Sequence, residues 1–361
     1  MNTAELSKIC RQVRRDIITM TANAGSGHPG GSLSAVELMT SVFYNHMRLD
    51  PKNPKWDGRD RFVLSKGHSA PCYYAVLASL GFIDRSEYTN FRQLHSILQG
   101  HPDSKKVPGV DAATGSLGQG CSIAVGMALG AKLQHKDCKV YTLLGDGECQ
   151  EGQIWESFMA AAHYHLDNLT IIIDNNGLQI DGTNDEVMSL GDLPAKLRAF
   201  GLDLHEIDGH DPEAVKKAIQ EAQSVKDKPS LIVCRTTIGF GSPNKAGKEE
   251  AHGAALGEEE VALTRQKLGW KHPAFEIPKE IYRAWDARET GEKAQQAWNE
   301  KFAAYKKAYP ELAAEFNRRM SGGLPEDWEE KTQALIENLQ SNPAKIATRK
   351  ASQNTLNAIG P

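Results

Sequence analysis

Several features that define whole classes of protein are missing from this chain of 361 residues. Its 42 basic and 46 acidic side chains give a net charge of −4, which offers no general attraction for nucleic acid or for an anionic membrane surface. Its longest apolar-looking run, residues 117–133, contains Gln119, Ser122 and four glycines, so it is too short and too polar to span a bilayer. We therefore expect neither a nucleic acid nor a membrane as partner.

The cysteines and the N-terminus also lack the signs of an exported protein. The six cysteines include no CxxC pair and have no regular spacing; they stand at positions 10, 72, 121, 138, 149 and 234. The first 25 residues are amphipathic and mixed in charge, without the apolar core and cleavage site of a signal peptide. Both observations predict a reducing compartment, and we expect a cytoplasmic protein.

Short β-rich runs alternate with segments of helical periodicity through the first two thirds of the chain. The runs are residues 61–65, 139–144, 169–174, 202–207 and 230–236. This alternation favours parallel strands joined by crossover helices, and the nearly continuous apolar character of two of the runs indicates a sheet buried on both faces. The predicted fold is α/β, a parallel sheet covered by helices on both faces.

The pattern changes after about residue 240. A Gly-rich polar loop is followed by amphipathic stretches around 258–268, 289–320 and 325–341, with no convincing strand. The sequence "SGGLP" at 321–325 predicts a break, and the last 17 residues resemble the start of another helix. We expect one domain over residues 1–320 that includes a helical C-terminal extension, with a linker over 321–361.

Two polar motifs follow consecutive apolar strands, "GDG" at 145–147 and "DNNG" at 174–177. Ligands of open parallel sheets bind beyond the carboxyl ends of the strands. Asp146, the Asn176 amide and the Leu178 carbonyl can supply three oxygens to Mg²⁺, which usually takes the rest from phosphates and water. Each motif alone is more often an ordinary turn. Together, as GDG, then 27 residues that contain a helix and a strand, then NN at 175–176, they form the thiamine diphosphate motif in its usual form.

Many further motifs occur in an order that makes the chain resemble transketolase, specifically its N-terminal, diphosphate-binding part. The resemblance covers essentially the whole chain through "SGHPGG", "DRFVLSKGHSAP", "FRQLHS", "GHPD", "TGSLGQG", "GDGECQEGQIWE", "DNNGLQIDG", "EIDGHD", "GFGSPNKAG", "AHGAALG" and "RKASQN". A set of this size is far more specific than any single motif. It implies the thiamine diphosphate-binding fold.

The resemblance also implies roles for four histidines. His68 would contact the diphosphate side of the cofactor, while His28, His101 and His252 would face the ketose hydroxyls and serve in proton transfer, with His252 also at the cofactor. Imidazole suits this task because it can donate or accept a proton near neutral pH. Taken singly, each of these histidines would more readily be interpreted as structural.

Glycine-rich segments complete the implied cofactor site. Gly115, Ser116 and Leu117 match the stretch that covers the cofactor, and Gly147 would place a backbone N–H on the diphosphate. The stretch after Leu117 is not the ordered GxGxxG of dinucleotide sites, which argues against a nicotinamide dehydrogenase.

Acids follow the "GDG" motif closely, and a helix is expected to begin there. Glu148, Glu151 and Glu156 are predicted at the start of that helix, where its dipole stabilises them, and not as catalysts.

The implied activity is transfer of a two-carbon ketol unit from a ketose phosphate to an aldose phosphate, with thiamine diphosphate and Mg²⁺, for which Ca²⁺ or Mn²⁺ are possible substitutes. In the family a pyrimidine-binding domain supplies the activating Glu and phosphate-gripping arginines, and residues 321–361 would lead toward it. "SGHPGGSLSA" resembles a split N-terminal subunit, whereas the chain after about 240 resembles the single-chain enzymes. A C-terminal partner domain or subunit and a homodimer or heterotetramer are expected.

Two other functions stay open at this point. One is a related transferase similar to 1-deoxyxylulose-5-phosphate synthase, against which the "NKAGKEEAHGAALG" loop and His28 argue. The other is a subunit that binds the cofactor and Mg²⁺ without catalysing a reaction.

Overall fold

The structure of the protein, a computed structural model, describes residues 2–273, 276–284, 286 and 288–360. Its strands are β1 (Arg61–Leu64), β2 (Val140–Gly145), β3 (Leu169–Asn175), β4 (Leu178–Gln179), β5 (Gly182–Thr183), β6 (Asp203–Asp208) and β7 (Ser230–Arg235). The five longer strands coincide with the five predicted β-rich runs. The pair β4–β5 was not predicted, because strands of two residues are too short to leave a periodic pattern.

Helices connect these strands and make up most of the remaining chain. In the first half they are α1 (Thr3–Ala24), α2 (Pro29–Ser34), α3 (Val36–Ser41), α4 (Ala70–Leu80), α5 (Gln119–Leu133), α6 (Gly152–His163), α7 (Asn184–Met188), α8 (Leu193–Ala199) and α9 (Pro212–Ser224). Those after the last strand are α10 (Glu250–Gly253), α11 (Glu258–Lys267), α12 (Lys279–Ala284), α13 (Arg288–Ala308), α14 (Pro310–Met320), α15 (Trp328–Ser341) and α16 (Thr348–Ile359).

The five longer strands form one sheet in the order β1-β2-β3-β7-β6, and each neighbouring pair is parallel. The register aligns Leu64 with Leu143 and Gly145 with Asp174, so the carboxyl ends of β1, β2 and β3 lie at one edge. The predicted parallel sheet is confirmed.

Both faces of the sheet are buried, as the apolar strands predicted. In β3, Ile172 belongs to a core formed with α1, α4 and α9, whereas Ile171 and Ile173 belong to a second core formed with α5 and α6. Alternate side chains of one strand therefore enter opposite cores, because successive residues in a strand point to opposite faces. Among the described residues, no helix is both long enough and apolar enough to cross a membrane.

The chain divides into two compact units, Met1–Gln295 and Gln296–Pro361. The second unit is helical, and its aromatic contacts join Phe302 to Trp298 at 5.2 Å and to Phe316 at 5.4 Å between ring centroids. The predicted break at 321–325 lies between α14 and α15. The predicted domain boundary at residue 320 stays a prediction.

One predicted helical stretch, 289–320, is two helices in the structure. α13 ends at Ala308 and α14 begins at Pro310. Proline lacks the N–H that a continuous helix needs and its ring clashes with the preceding turn, whereas it is well suited to the first position of a new helix. The amphipathic period continues through the break, which is why periodicity alone did not reveal it.

Candidate functional site

The site lies at the edge where three parallel strands end. β1 leads into Lys66 and His68, β2 into Asp146, and β3 into Asn176. The N–H of Asp146 donates to the Asp174 carbonyl at 3.3 Å, so the "GDG" and "DNNG" motifs are in direct contact. Two motifs separated by 26 residues in the chain are brought together by the pairing of neighbouring strands.

A cleft of about 310 Å³ opens at this edge. Of the residues predicted for the site, the following line it: His28, His68, His101, Gly115, Leu117, Asp146, Gly147, Asn176, Leu178 and His252. Ser116 does not, and its side chain is exposed. The fold thus gathers residues from across more than two hundred positions of sequence into one cavity.

Three of the four predicted histidines form a cluster in the cleft. Ring centroids of His28 and His68 lie 5.4 Å apart, those of His28 and His252 6.0 Å, and those of His68 and His252 5.2 Å. Burial lowers the pKa of His28 and of His252 to about 4, and it lowers the pKa of His68 well below its usual range. Near pH 7 these rings are therefore neutral and can act as hydrogen-bond donors or acceptors.

His101, the fourth histidine, covers the glycine-rich segment. A Cβ atom at Gly115 would lie 2.9 Å from Cγ of the His101 ring, and Gly115 has a φ of 145°, in the region that favours glycine. His101 is exposed, and burial of part of its ring lowers its pKa. Glycine at position 115 allows this histidine to pack against the backbone.

Asp146 is buried and forms no ion pair with any of the described residues. Its exposed fraction is 2%, and its two carboxylate oxygens accept backbone N–H groups of Gly147 at 2.9 Å and of Gly177 at 2.5 Å. Burial raises the pKa of Asp146 to about 6, against the lowering effect of these hydrogen bonds. The carboxylate is therefore held in place but its charge is not neutralised.

The donor set around Asp146 fits a magnesium ion that is also bound by a diphosphate. Asn176 and Leu178 line the same cleft, and the Asn176 amide oxygen is turned back to accept the Leu178 N–H at 3.1 Å. Among the described residues no three His, Cys, Asp or Glu side chains are grouped for a metal. A metal here would have one charged ligand and neutral oxygens, which suits Mg²⁺ completed by phosphate oxygens.

Sequence reasoning missed a buried ion pair whose lysine, Lys66, lines the cleft. Lys66 Nζ lies 2.5 Å from Oδ2 of Asp174, and these side chains are 1% and 0% exposed. Asp174 also accepts hydrogen bonds from the hydroxyls of Ser34 and Thr236. Lys66 stands in the motif "SKGHS" and Asp174 in "DNNG", so a base and an acid at the ends of β1 and β3, the two strands that flank β2, were the available signal.

The predicted role of Glu148 as a helix-start acid is wrong. α6 begins at Gly152, and Glu148 lies before it in a 3₁₀ turn, 2% exposed. Its carboxylate accepts hydrogen bonds from the Ser65 hydroxyl, from the Gly118 N–H at 2.9 Å and from the Gly145 N–H at 3.1 Å. Glu148 therefore connects three segments of the cleft wall, a contact that no local sequence pattern specifies.

Comparisons with known proteins agree with this geometry. A family model described as "Transketolase, thiamine diphosphate binding domain" matches residues 5–325. The chain is 54% identical to transketolase 2 of Escherichia coli over 373 aligned residues, which cover 100% of this chain and 55% of that protein. It is 45% identical to transketolase 1 of the same organism, covering 99% of this chain and 55% of that protein.

Solved structures show the same relation. A Pichia stipitis transketolase in complex with sedoheptulose 7-phosphate superposes with a TM-score of 0.88 at 36% identity, over 99% of this chain and 54% of that one. Transketolase from Leishmania mexicana gives a TM-score of 0.88 at 33% identity with the same coverage. The chain spans about half the length of the relatives it matches. These relatives are transketolases, so the two alternative functions are not favoured.

Proposed function

The chain belongs to the transketolase family, and from that premise we propose that it is the cofactor-binding part of an enzyme that transfers a two-carbon ketol unit between sugar phosphates. The observation that supports this most is that "GDG", "DNNG" and four histidines from distant segments line one cleft. The donor and acceptor would be a ketose phosphate and an aldose phosphate, and we propose a cytoplasmic location.

In this proposal Asp146, Asn176 and the Leu178 carbonyl hold Mg²⁺, with Ca²⁺ or Mn²⁺ as possible substitutes. Gly147 offers its backbone beside the diphosphate, and His68 contacts the same group. Thiamine diphosphate, when bound, supplies the carbon nucleophile that carries the two-carbon unit. Gly115, Ser116 and Leu117 cover it, and of these only Ser116 lies outside the cleft lining.

His28, His101 and His252 are proposed to move protons at the substrate hydroxyls. Their pKa values are lowered by burial, so each is neutral near pH 7 and can accept a proton. The Nδ1 atom of His252 is buried and has no hydrogen-bond partner in the described part of the chain. A ring nitrogen in that state is free to bond to a group that enters the cleft, and we assign it to the cofactor and the ketose.

Because the relatives are about twice as long, a further domain is implied, and we propose that it binds the pyrimidine ring. It would supply the activating Glu and the arginines that hold the substrate phosphate. The test is reconstitution with the C-terminal half of a related transketolase, thiamine diphosphate and Mg²⁺. Transfer from xylulose 5-phosphate to ribose 5-phosphate is expected, and a reconstituted complex that binds the cofactor but transfers nothing would overturn the proposal.

We propose that copies of this chain associate through α5, giving a homodimer, or a heterotetramer with the pyrimidine-binding partner. Gly126 and Gly130 stand four residues apart on this helix, and a Cβ atom at either would meet nothing within 4 Å. Small residues at this spacing allow a helix of another subunit to approach closely. Light scattering over a dilution series is expected to show a dimer that Gly126→Leu weakens; a wild-type monomer at micromolar concentration would contradict this.

A further inference from the structure

His210 lies outside the cleft lining, between β6 and α9, and both of its ring nitrogens are engaged. Nε2 accepts the backbone N–H of Thr237 at 2.8 Å, and Nδ1 lies 3.2 Å from Oε2 of Glu37. Because a backbone N–H can only donate, Nε2 must be unprotonated and Nδ1 must carry the proton toward Glu37. The ring is therefore a neutral bridge between α3 and the segment after β7.

The carboxylate that orients this ring is itself held in a buried ion pair. Both oxygens of Glu37 accept hydrogen bonds from the Arg14 guanidinium, at 2.6 and 2.5 Å. Burial alone would raise the pKa of Glu37, but Arg14 and His210 lower it to about 2. The carboxylate stays ionised, so it continues to accept from His210 and selects the tautomer whose Nε2 can accept from Thr237.

The same histidine packs against the turn that follows β7. Its ring stacks on Phe240 with centroids 3.7 Å apart and an interplanar angle of 15°. The Phe240 N–H closes the turn by donating to the Thr237 carbonyl at 3.2 Å, and the Arg14 guanidinium lies 4.7 Å from the Phe240 ring centroid. One hydrogen bond and one ring stack thus join His210 to this turn.

This turn, residues 237–242, supports two of the cleft histidines. The Gly239 N–H donates to the Gly30 carbonyl at 3.0 Å, two residues beyond His28. A Cβ atom at Gly30 would lie 2.1 Å from the Ala251 carbonyl oxygen, and one at Gly239 would lie 3.1 Å from Cβ of Ala251. The residue that precedes His252 is therefore packed directly on the turn and on the segment that bears His28.

We infer that His210 is a positioning residue: by anchoring the turn 237–242 to the Arg14–Glu37 pair, it sets the spacing of His252 and His28 across the cleft. This inference rests on the proposed function only for its catalytic consequence. The anchoring itself is a property of the apo chain. A substitution that removes the Nε2 acceptor is expected to loosen the His252 segment while leaving the sheet intact.

Hydrogen–deuterium exchange on the apo chain tests the anchoring. His210→Asn keeps an amide N–H that can reach Glu37 but removes the acceptor for Thr237, whereas His210→Gln places an amide oxygen where Nε2 accepts. In His210→Asn, peptides over 237–256 are expected to exchange about fivefold to tenfold faster, as when one hydrogen bond is lost locally. His210→Gln is expected to restore most of the protection.

Peptides of β2 and β3 serve as the internal control. His163→Asn, at an exposed histidine of α6, is the matched substitution and is expected to leave the exchange rates unchanged. Unchanged exchange over 237–256 in His210→Asn would overturn the inference, as would equal acceleration in the sheet. Should His210→Asn fail to fold, Phe240→Leu removes the ring stack at a partly exposed position, and it is expected to accelerate the same peptides.

In the reconstituted enzyme the expected signature is a lower kcat with little change in thiamine diphosphate affinity, since His210 lies outside the cleft lining. His210→Asn is expected to lower kcat about tenfold, consistent with a small misplacement of a catalytic group, and His210→Gln to recover most of it. Equal losses in both variants, or a loss of cofactor affinity that accounts for the change, would contradict a positioning role. The exchange experiment needs no activity, so its failure is distinguishable from failure of the proposed function.

Discussion

Asp146 and Asp174 end neighbouring strands of one sheet, and both are buried, yet their charges are treated in opposite ways. Asp174 is paired with Lys66 Nζ at 2.5 Å and bonded to two hydroxyls. Among the described residues, Asp146 accepts hydrogen bonds from two backbone N–H groups and has no paired cation. One acid is neutralised inside the fold, whereas the other is oriented toward the cleft with its charge uncompensated.

Whether a buried carboxylate is paired with a cation of the same chain distinguishes a structural acid from a candidate ligand. Removing a carboxylate from water is costly unless a cation and hydrogen bonds replace the water. At Asp174 the cation is Lys66, a residue of the same chain, so this ion pair is structural. Asp146 forms no ion pair with any of the described residues, which is the property expected of a metal ligand.

The largest effect is expected from breaking the internal pair. Lys66→Met leaves Asp174 buried without a cation and should lower the free energy of unfolding by about 3–5 kcal/mol. Urea denaturation followed by circular dichroism measures it. The double variant Lys66→Met/Asp174→Asn removes both charges and is expected to regain much of the loss, and a single variant as stable as wild type would disprove the structural role.

The next effect concerns ligand binding and not folding. Asp146→Asn removes the only charged ligand in the proposed metal set, so thiamine diphosphate affinity in the presence of Mg²⁺ should fall about a hundredfold. The stability of the apo protein should change by no more than about 1 kcal/mol, because the amide removes a desolvated charge but leaves the N–H of Gly147 or of Gly177 without its acceptor. Calorimetric titration measures the affinity; Asp181→Asn, at an exposed acid of the same cleft, is the control. Unaltered affinity in Asp146→Asn would refute the metal assignment.

Glu148 extends the comparison because it is a third buried acid. Among the described residues, its carboxylate accepts hydrogen bonds from uncharged donors. In Glu148→Gln one oxygen becomes a donor and leaves one of the bonds from Ser65, Gly118 or Gly145 unmade. We expect the free energy of unfolding to fall by about 2 kcal/mol, because one buried donor is left without an acceptor. Glu156→Gln, an exposed substitution on α6, should be neutral by the same denaturation assay. Equal stability of the two variants would argue against a connecting role for Glu148.

The smallest effect is the pH dependence contributed by His252. Its pKa in the folded chain is lowered by burial to about 4. The unfolded chain therefore binds a proton that the folded chain does not between about pH 6.5 and 4. The contribution of neutral His252 to the free energy of unfolding is fully present above pH 6.5, and it is lost as the pH falls through 4.

When the pH is lowered from 7 to 4.5, the free energy of unfolding of His252→Gln should therefore fall by about 1 kcal/mol less than that of wild type. This figure is reduced for the partial exposure of the ring. Denaturation midpoints at the two pH values measure it. His163→Gln, at an exposed histidine, should track wild type. If the stability of His252→Gln changed with pH as much as that of wild type, the ring would not be buried in solution.

Much of the fold could be predicted because its signals are local. The five long strands, their parallel order and the polar residues that follow "KVYTLL" and "LTIIID" depend on apolar runs and on glycines at strand ends. The metal-ligand candidates Asp146, Asn176 and Leu178 could be proposed for the same reason, since the ends of adjacent parallel strands meet at one edge.

The sequence by itself therefore determined the class of fold, the edge of the sheet that carries the cleft and ten of the nineteen residues that line it. Only the tertiary structure decided which acids are neutralised. Lys66 is paired with Asp174 and not with Asp146, Glu148 joins three segments of the cleft wall instead of starting a helix, and His210 anchors the turn 237–242. Such pairings depend on distances of a few ångströms between segments that are remote in sequence, and no local periodicity or motif encodes those distances.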